Sequence, residues 1–232
     1  MQAEDSIGLA AWPRTPAQAV AVQRALSGRV VRHDVLGAVR RVAGVDVGFP
    51  MPAWARAAVA VLSFPGLDSL EHVLAGQSVT FPYIPGLLSF RELPVVLEAL
   101  RRLVHPPDVL LVDGQGIAHP RRFGIACHLG ILTGLPSIGV AKTRLVGKHQ
   151  AVPDRRGAWA PLRDGDEVIG AVLRSRVGVR PIYVSVGHRV SLDTALNLVM
   201  ACVTRFRLPQ TTRAAHALAS QTATAGVWQP PH

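Results

Sequence analysis

"DVLLVDGQGIAHPRRFGIACHLGILTGLPSIGVAKT", residues 108–143, is the stretch on which the reading of this 232-residue chain turns. Val109 to Val112 form an unbroken apolar run of strand length, the pattern of a strand covered on both faces. "RRFGIACHLGILTG" then reads as a helix stopped by Gly134, and "PSIGVAKT" as a second buried strand. Strand, helix and strand at this spacing predict a parallel crossover, and with it an α/β fold.

Upstream, "RRVAGVDVGF", "ARAAVAVLSF" and "LEHVLAGQSVT" are short apolar runs separated by Pro and Gly, which predict three strands in a meander. "TPAQAVAVQRALSGRVV" predicts a helix before them, with Thr15 as cap, Pro16 at the first helical position and an end near Gly28. "ELPVVLEALRRLVHPP" predicts another, with Glu92 in its first turn and Arg101, Arg102 and His105 near its end, as the helix dipole favours. Downstream come strands in "EVIGAVLRS" and "RPIYVSVGH", a helix in "SLDTALNLVMACVTRF" and a last short helix around "TTRAAHALAS". The expected architecture is a mixed central sheet, antiparallel at first and parallel later, flanked by helices. It fills one domain over residues 1–232, with a frayed tail from about 221 to 232.

Twenty-five Lys and Arg against 15 Asp and Glu leave a net charge of +10, which points to an anionic partner. Cys127 and Cys202 sit inside apolar runs and read as buried reduced thiols, so the cytoplasm is the expected location. The first residues carry acids where a secretory signal needs bases. The uncharged run from Phe123 to Ala141 is interrupted by His128, Gly130, Gly134 and Pro136, so no membrane segment is expected.

Asp46 stands in the middle of an apolar strand, where an unpaired carboxylate costs several kcal/mol unless a cation meets it. Asp113 repeats the situation at a strand's carboxyl end, where α/β folds gather their ligands. With Glu92 they would make an all-oxygen cage suited to Mg2+, or to Mn2+ in its place, and such an ion in a basic protein would polarise a phosphodiester. "FPYIPGLLSFRELP", residues 81–94, reads as a stiff aromatic loop, too broken by proline for a helix or central strand. Arg121 and Arg122 are candidate phosphate contacts.

"GVDVGF", "PYIPGLLSFRE", "LLVDGQGIAHPRRFGIACHLGILTGLPSIGVAKTRL", "GDEVIGAVLRSR", "VSVGHRVSLDTA" and "RLPQTTRAAH" together, in order from about Gln18 to His216, closely resemble endonuclease V. The resemblance implies a ribonuclease H-like fold and a Mg2+-dependent endonuclease. It would act on DNA containing deoxyinosine, with inosine-containing RNA as a second candidate substrate, and nick the second phosphodiester bond 3′ to the deaminated base. It implies Asp46 and Asp113 as metal ligands, Glu92 as the carboxylate that holds or orients the hydrolytic water, and His216 as the histidine near the leaving group. Pro82, Tyr83, Ile84 and Pro85 match the family's wedge, which fills the gap left by a flipped base. Gly86, Leu88, Gly114, Gly124 and Ile125 match its base pocket, and His119 and Lys142 match positions that would contact the strand or scissile phosphate. Gln210 and Thr211 stand where the family usually has Glu-Pro, a departure that bears on the approach to His216. His188 is expected to be structural, bonding a turn carbonyl, and the protein is expected to act as a monomer. A non-catalytic nucleic-acid-binding protein would have shed one of the carboxylates. A small-molecule phosphatase would need neither the wedge nor the charge.

Overall fold

A computed structural model describes residues 12–220, so the expected tail at 221–232 lies outside the described residues. The chain enters through helix α1 (Pro16–Ser27), whose first turn is fixed by a reciprocal cap: the Thr15 hydroxyl accepts the Gln18 N–H, and the Gln18 side chain accepts the Thr15 N–H. Strands β1 (Arg41–Met51), β2 (Trp54–Ser63) and β3 (Ser69–Ser78) follow as the expected antiparallel meander. Helix α2 (Leu88–Arg101), strand β4 (Val109–Asp113), helix α3 (Ile125–Thr133) and strand β5 (Ser137–Ala141) come next. The chain then adds β6 (Trp159–Asp164), β7 (Glu167–Leu173), β8 (Ile182–His188), α4 (Leu192–Ala201) and α5 (Gln210–Ala219).

Among the described residues all eight strands share one sheet in the order β3-β2-β1-β4-β5-β8-β7-β6. β4 lies parallel to β1, and β5 parallel to β4, as the strand-helix-strand stretch requires. Beyond β5 the pairing is antiparallel again, through β8 and β7 to β6 at the edge. β6, "WAPLRD", has no counterpart in the sequence reading because Pro161 and its charged end mimic a loop. An edge strand tolerates a proline that a central one would not.

The β1/β4 register pairs Val42 with Val109 and Val45 with Val112, so one further step along both strands sets Asp46 beside Asp113. Alternate residues of these strands serve two cores. Ala43, Val45, Leu110 and Val112 pack with Leu93, Val95 and Val96 of α2, while Val42, Val109 and Leu111 face a second cluster that includes Leu196 and Val199 of α4. By the same alternation Asp46 falls on the face of Gly44 and Gly48, where α5 lies.

That helix sits unusually close to the strand. A Cβ at residue 44 would overlap the Thr211 carbonyl, and one at residue 48 would overlap the Ala219 carbonyl. Four strand residues span about 13 Å and eight helical residues about 12 Å, so α5 runs alongside β1 with its middle opposite Asp46.

α2 begins at Leu88, one turn before Glu92, so the second half of residues 81–94 is helical and not the expected loop. Pro94 inside it has no N–H for the Phe90 carbonyl. The Trp12 indole N–H takes that place at 2.8 Å, so the helix absorbs its proline. Two short predictions also needed trimming: α3 starts at Ile125 and α4 ends at Ala201.

Candidate active site

Asp46 Oδ1 accepts its own neighbour's N–H, from Val47, at 2.9 Å, and Asp46 Oδ2 lies 2.6 Å from His216 Nδ1. Asp113 Oδ2 accepts from Lys142 Nζ at 2.6 Å. One ligand atom from each of Asp46, Asp113 and His216 lies within 4.8 Å of the others, a spacing that a single cation could bridge. Burial and the facing Asp113 carboxylate push Asp46 above the ordinary carboxylate range.

Glu92 comes from the opposite side of the sheet and lies outside that tight group, a correction to the expected cage of three carboxylates. It is buried, and among the described residues its carboxylate makes no hydrogen bond. Burial, with the Asp46 and Asp113 charges, pushes it up to about 8. Two half-buried carboxylates with a third, buried acid close enough to feel their charge mark a cluster short of positive charge, which Lys142 alone does not supply. The residues therefore fit a divalent cation, with the Asp46 and Asp113 carboxylates to hold it and His216 bonded to Asp46 beside them.

Beside the carboxylates opens a cavity of about 340 Å³. Tyr83, Ile84, Pro85, Gly86 and Leu88 form one wall, and Gly114, His119, Gly124, Ile125 and Lys142 the other, with Asp113 at the rim. All the expected pocket residues are therefore brought together. Pro82 is exposed and lies outside the cavity lining, next to Tyr83. Residues 84–87 make a tight turn closed by Leu87 N–H to Ile84 C=O at 2.9 Å, with Pro85 and then Gly86 at φ +78° in the centre. Those residue types in that order suit a type II turn, in which the third position needs a positive φ. Tyr83, just ahead of it, is 70% exposed, so a large aromatic ring is held out from a rigid base.

The Gly86 carbonyl is the anchor of that base. It faces Gln23 Nε2 at 2.9 Å, Arg121 Nη2 at 2.7 Å and His119 Nε2 at 3.0 Å. His119 Nδ1 accepts the Arg121 N–H at 3.2 Å, which assigns the proton to Nε2 and makes the ring a neutral tie. Burial pushes this imidazole down to about 4. Both ring nitrogens are thus engaged within the protein, and the expected contact of His119 with a phosphate is not what this geometry supports. The same holds for the two arginines. Arg121 bonds Gly86 and Gln23, and Arg122 bonds Glu167 and Asp164 at 2.7 and 2.8 Å. His188 accepts the Val31 N–H at 3.2 Å, a structural role as expected, though with a donor and not a carbonyl as partner.

The sequence reading missed Gln23, Ser89, Gln115, Ala141, Thr143, Arg144 and Leu145, which complete the lining. Thr143, Arg144 and Leu145 follow directly on Lys142, so proximity in sequence was a usable signal. Gln23 offered none, being one of several polar residues on α1. Gln115 donates to the Thr143 carbonyl at 3.0 Å while its buried Oε1 has no partner among the described residues.

The family profile described as Endonuclease V matches residues 24–217. Endonuclease V of Roseiflexus castenholzii is 59% identical over 210 residues, covering 90% of this chain and 94% of that protein. The crystal structure of endonuclease V from Streptomyces avermitilis superimposes with a TM-score of 0.86 at 46% identity, over 90% of this chain and 93% of that one. Endonuclease V of Ciona intestinalis, solved with a 24mer DNA containing an inosine followed by a ribo-adenosine, matches with a TM-score of 0.76 at 27% identity, over 88% and 95% of the two chains.

Proposed function

The chain belongs to the endonuclease V family, and on that footing we propose that it nicks DNA at the second phosphodiester bond 3′ to a deaminated base, chiefly hypoxanthine in deoxyinosine. It is a nuclease of DNA repair with a ribonuclease H-like fold. The observation that carries the finer reading is the adjacency of the Asp46–Asp113 pair to a cavity of about 340 Å³ whose rim bears an exposed aromatic.

Asp46 and Asp113 would hold the divalent cation, Mg2+ in this reading with Mn2+ able to substitute, and when bound it supplies positive charge to the scissile phosphate and acidifies water. The remaining work falls to the protein's own groups. Lys142 Nζ, against Asp113, places a cation at the cavity mouth, where a strand's phosphate must pass. Glu92, buried beside the pair, is the group that holds or orients water at the phosphorus. His216 keeps Nδ1 on Asp46 and its ring half exposed, which leaves Nε2 free to meet the leaving oxygen.

The base enters between the Gly86–Leu88 wall and the Gly124–Ile125 wall. Hypoxanthine offers an O6 acceptor and an N1–H donor, so backbone N–H and C=O groups along these walls can separate it from adenine. Its lack of a 2-amino group separates it from guanine by fit. Tyr83 then stacks in the gap, worth about 1–3 kcal/mol against an unstacking cost of a few kcal/mol. One chain supplies every residue of this site, which supports a monomer as the working unit. No helix among the described residues is long and apolar enough to cross a membrane, and two buried reduced thiols support a cytoplasmic setting. Inosine-containing RNA stays within the reading as a second substrate.

The test uses end-labelled strands, DNA and RNA, each carrying a single inosine, incubated with Mg2+ or with EDTA. The expected product is a metal-dependent nick one nucleotide beyond the linkage adjoining inosine. No nick, or one that survives EDTA, overturns the reading.

A further inference from the structure

Arg207 lies in the segment between α4 and α5, two residues ahead of Pro209, which caps the helix that carries His216. Its half-buried guanidinium bonds three backbone carbonyls. Nη2 donates to the Lys142 carbonyl at 2.7 Å and to the Pro181 carbonyl at 2.8 Å, and Nε donates to the Arg180 carbonyl at 2.8 Å. The arginine is itself held from behind. Its own carbonyl accepts from Ser175 Oγ at 2.5 Å, and the Gln210 N–H that opens α5 donates to the Cys202 carbonyl at 2.7 Å.

The three carbonyls gather at one end of the sheet. Lys142 follows directly on β5, Pro181 directly precedes β8, and Ala141 pairs with Tyr183 where that ladder ends. The Lys142 carbonyl therefore lies past the last strand pair, and Arg207 takes the place of a neighbouring strand as its donor. A planar fork fixes the peptide groups it joins, because its N–H directions are set relative to one another. That matters for Lys142 in particular. It carries its cation on a flexible four-carbon stem, so the place where Nζ meets Asp113 Oδ2 depends on a backbone that does not move.

We propose that Arg207 is a positioning residue for Lys142: it holds the backbone from which the Lys142 cation reaches the cavity mouth. It does so from the same segment that leads into the His216 helix, so two groups that act on one phosphate share one anchor. This rests on the nuclease reading above and deepens it, since Lys142 is the cation that meets the strand there. Arg207 spends its own hydrogen bonds on carbonyls, and its effect on the substrate passes through Lys142.

The experiment is a double-mutant cycle on Arg207→Met and Lys142→Met, with Arg207→Lys as the variant that keeps the charge and loses the fork. Two quantities are read for each protein: kcat/KM for nicking a strand with one inosine in Mg2+, and the salt dependence of binding to that strand in EDTA. Thermal unfolding is followed in parallel. Lys142→Met should cut kcat/KM about a hundredfold, the scale of a misplaced catalytic contact, and flatten the slope of log K against log salt by about one, the loss of one phosphate contact. Arg207→Met and Arg207→Lys should each lose at least roughly tenfold in kcat/KM and flatten the slope, and either arginine change combined with Lys142→Met should be no worse than Lys142→Met alone. A merely structural role would lower the unfolding midpoint and multiply the two losses in the double variant; that outcome overturns the proposal. So does a slope flattened by about two in the double variant, which would make Arg207 a phosphate contact in its own right. Parental behaviour of Arg207→Lys overturns it as well, since charge without the fork would then suffice. If Arg207→Met does not fold, Arg207→Lys takes its place in the cycle. A parent protein that does not nick in Mg2+ sinks the nuclease reading, while the slopes measured in EDTA still decide the Arg207 assignment.

Discussion

His216 Nδ1 lies 2.6 Å from Asp46 Oδ2, although 170 residues separate the two in sequence. What brings them together is the absence of side chains on either side of the aspartate. Gly44 and Gly48 share its face of β1 and let α5 settle against the strand, with Thr211 over the first and Ala219 over the second. The helix's middle residue then arrives at the carboxylate.

Gly44→Ala should therefore push α5 off β1. The added methyl overlaps the Thr211 carbonyl, a backbone atom that cannot swing aside, so a loss of about 1–3 kcal/mol in unfolding free energy is expected. Nicking should fall further than stability does, because His216 is displaced. Gly37→Ala, where the new methyl would meet nothing within 4 Å, should leave both unchanged in the same denaturant titration and nicking assay.

Asp46→Asn removes a charge and almost no volume. The variant should fold, fail to nick inosine-containing strands and lose the rise in thermal midpoint that Mg2+ gives the parent. Parental nicking, or an undiminished Mg2+-induced shift, would remove Asp46 from the cation site.

Thr211 is completely buried and its hydroxyl has no partner among the described residues. Thr211→Val keeps the shape and deletes the orphan, so a gain of about 1 kcal/mol is expected from the desolvation penalty it relieves. Equilibrium unfolding measures it; an equal or lower stability would mean that the hydroxyl is satisfied in solution. The Gln210-Thr211 departure from Glu-Pro thus bears on stability, while the approach of His216 to Asp46 is kept.

Burial pushes three imidazoles down from the ordinary 6.5, His119 and His188 to about 4 and His128 to about 3. In the folded protein they refuse protons that the unfolded chain accepts. Their contribution is fully present above pH 6.5 and is lost as pH falls from there toward about 4 for His119 and His188 and about 3 for His128. Each group contributes at most about 1.36 kcal/mol per pH unit, and Glu92, raised to about 8, works in the opposite sense over the same range, so the net slope is that of about two groups. Chemical denaturation at pH 7, 6 and 5 tests this, and His128→Gln should flatten the slope by roughly half. A parent whose stability is level across that range would contradict it.

Tyr83→Ala should leave the unfolding midpoint in place, since the ring is 70% exposed. Binding to inosine in a duplex should weaken by about 1–3 kcal/mol, and binding to a single strand by less, because an opened duplex leaves the larger gap. Equal losses on both substrates would take the wedge role away from this residue.

The sequence by itself determined the sheet's centre and the chemistry placed there. Continuous apolar runs of strand length around Asp46 and Asp113, bounded by Gly and Pro, point to strands buried on both faces, and a carboxylate in such a run has to meet a cation or a donor. The wedge turn was equally local, because proline and glycine at consecutive positions dictate backbone angles without help from the rest of the chain. Where those parts meet was decided only by the tertiary structure. The β1/β4 register sets Asp46 beside Asp113, two glycines admit α5, and α2 brings Glu92 up from the other face, close enough to feel both charges but outside the tightest group. Gln23, His119 and Arg121 became internal ties for the same reason. A polar side chain shows its type in a sequence but not its partners, and these partners are carbonyls supplied by segments as far as 100 residues away.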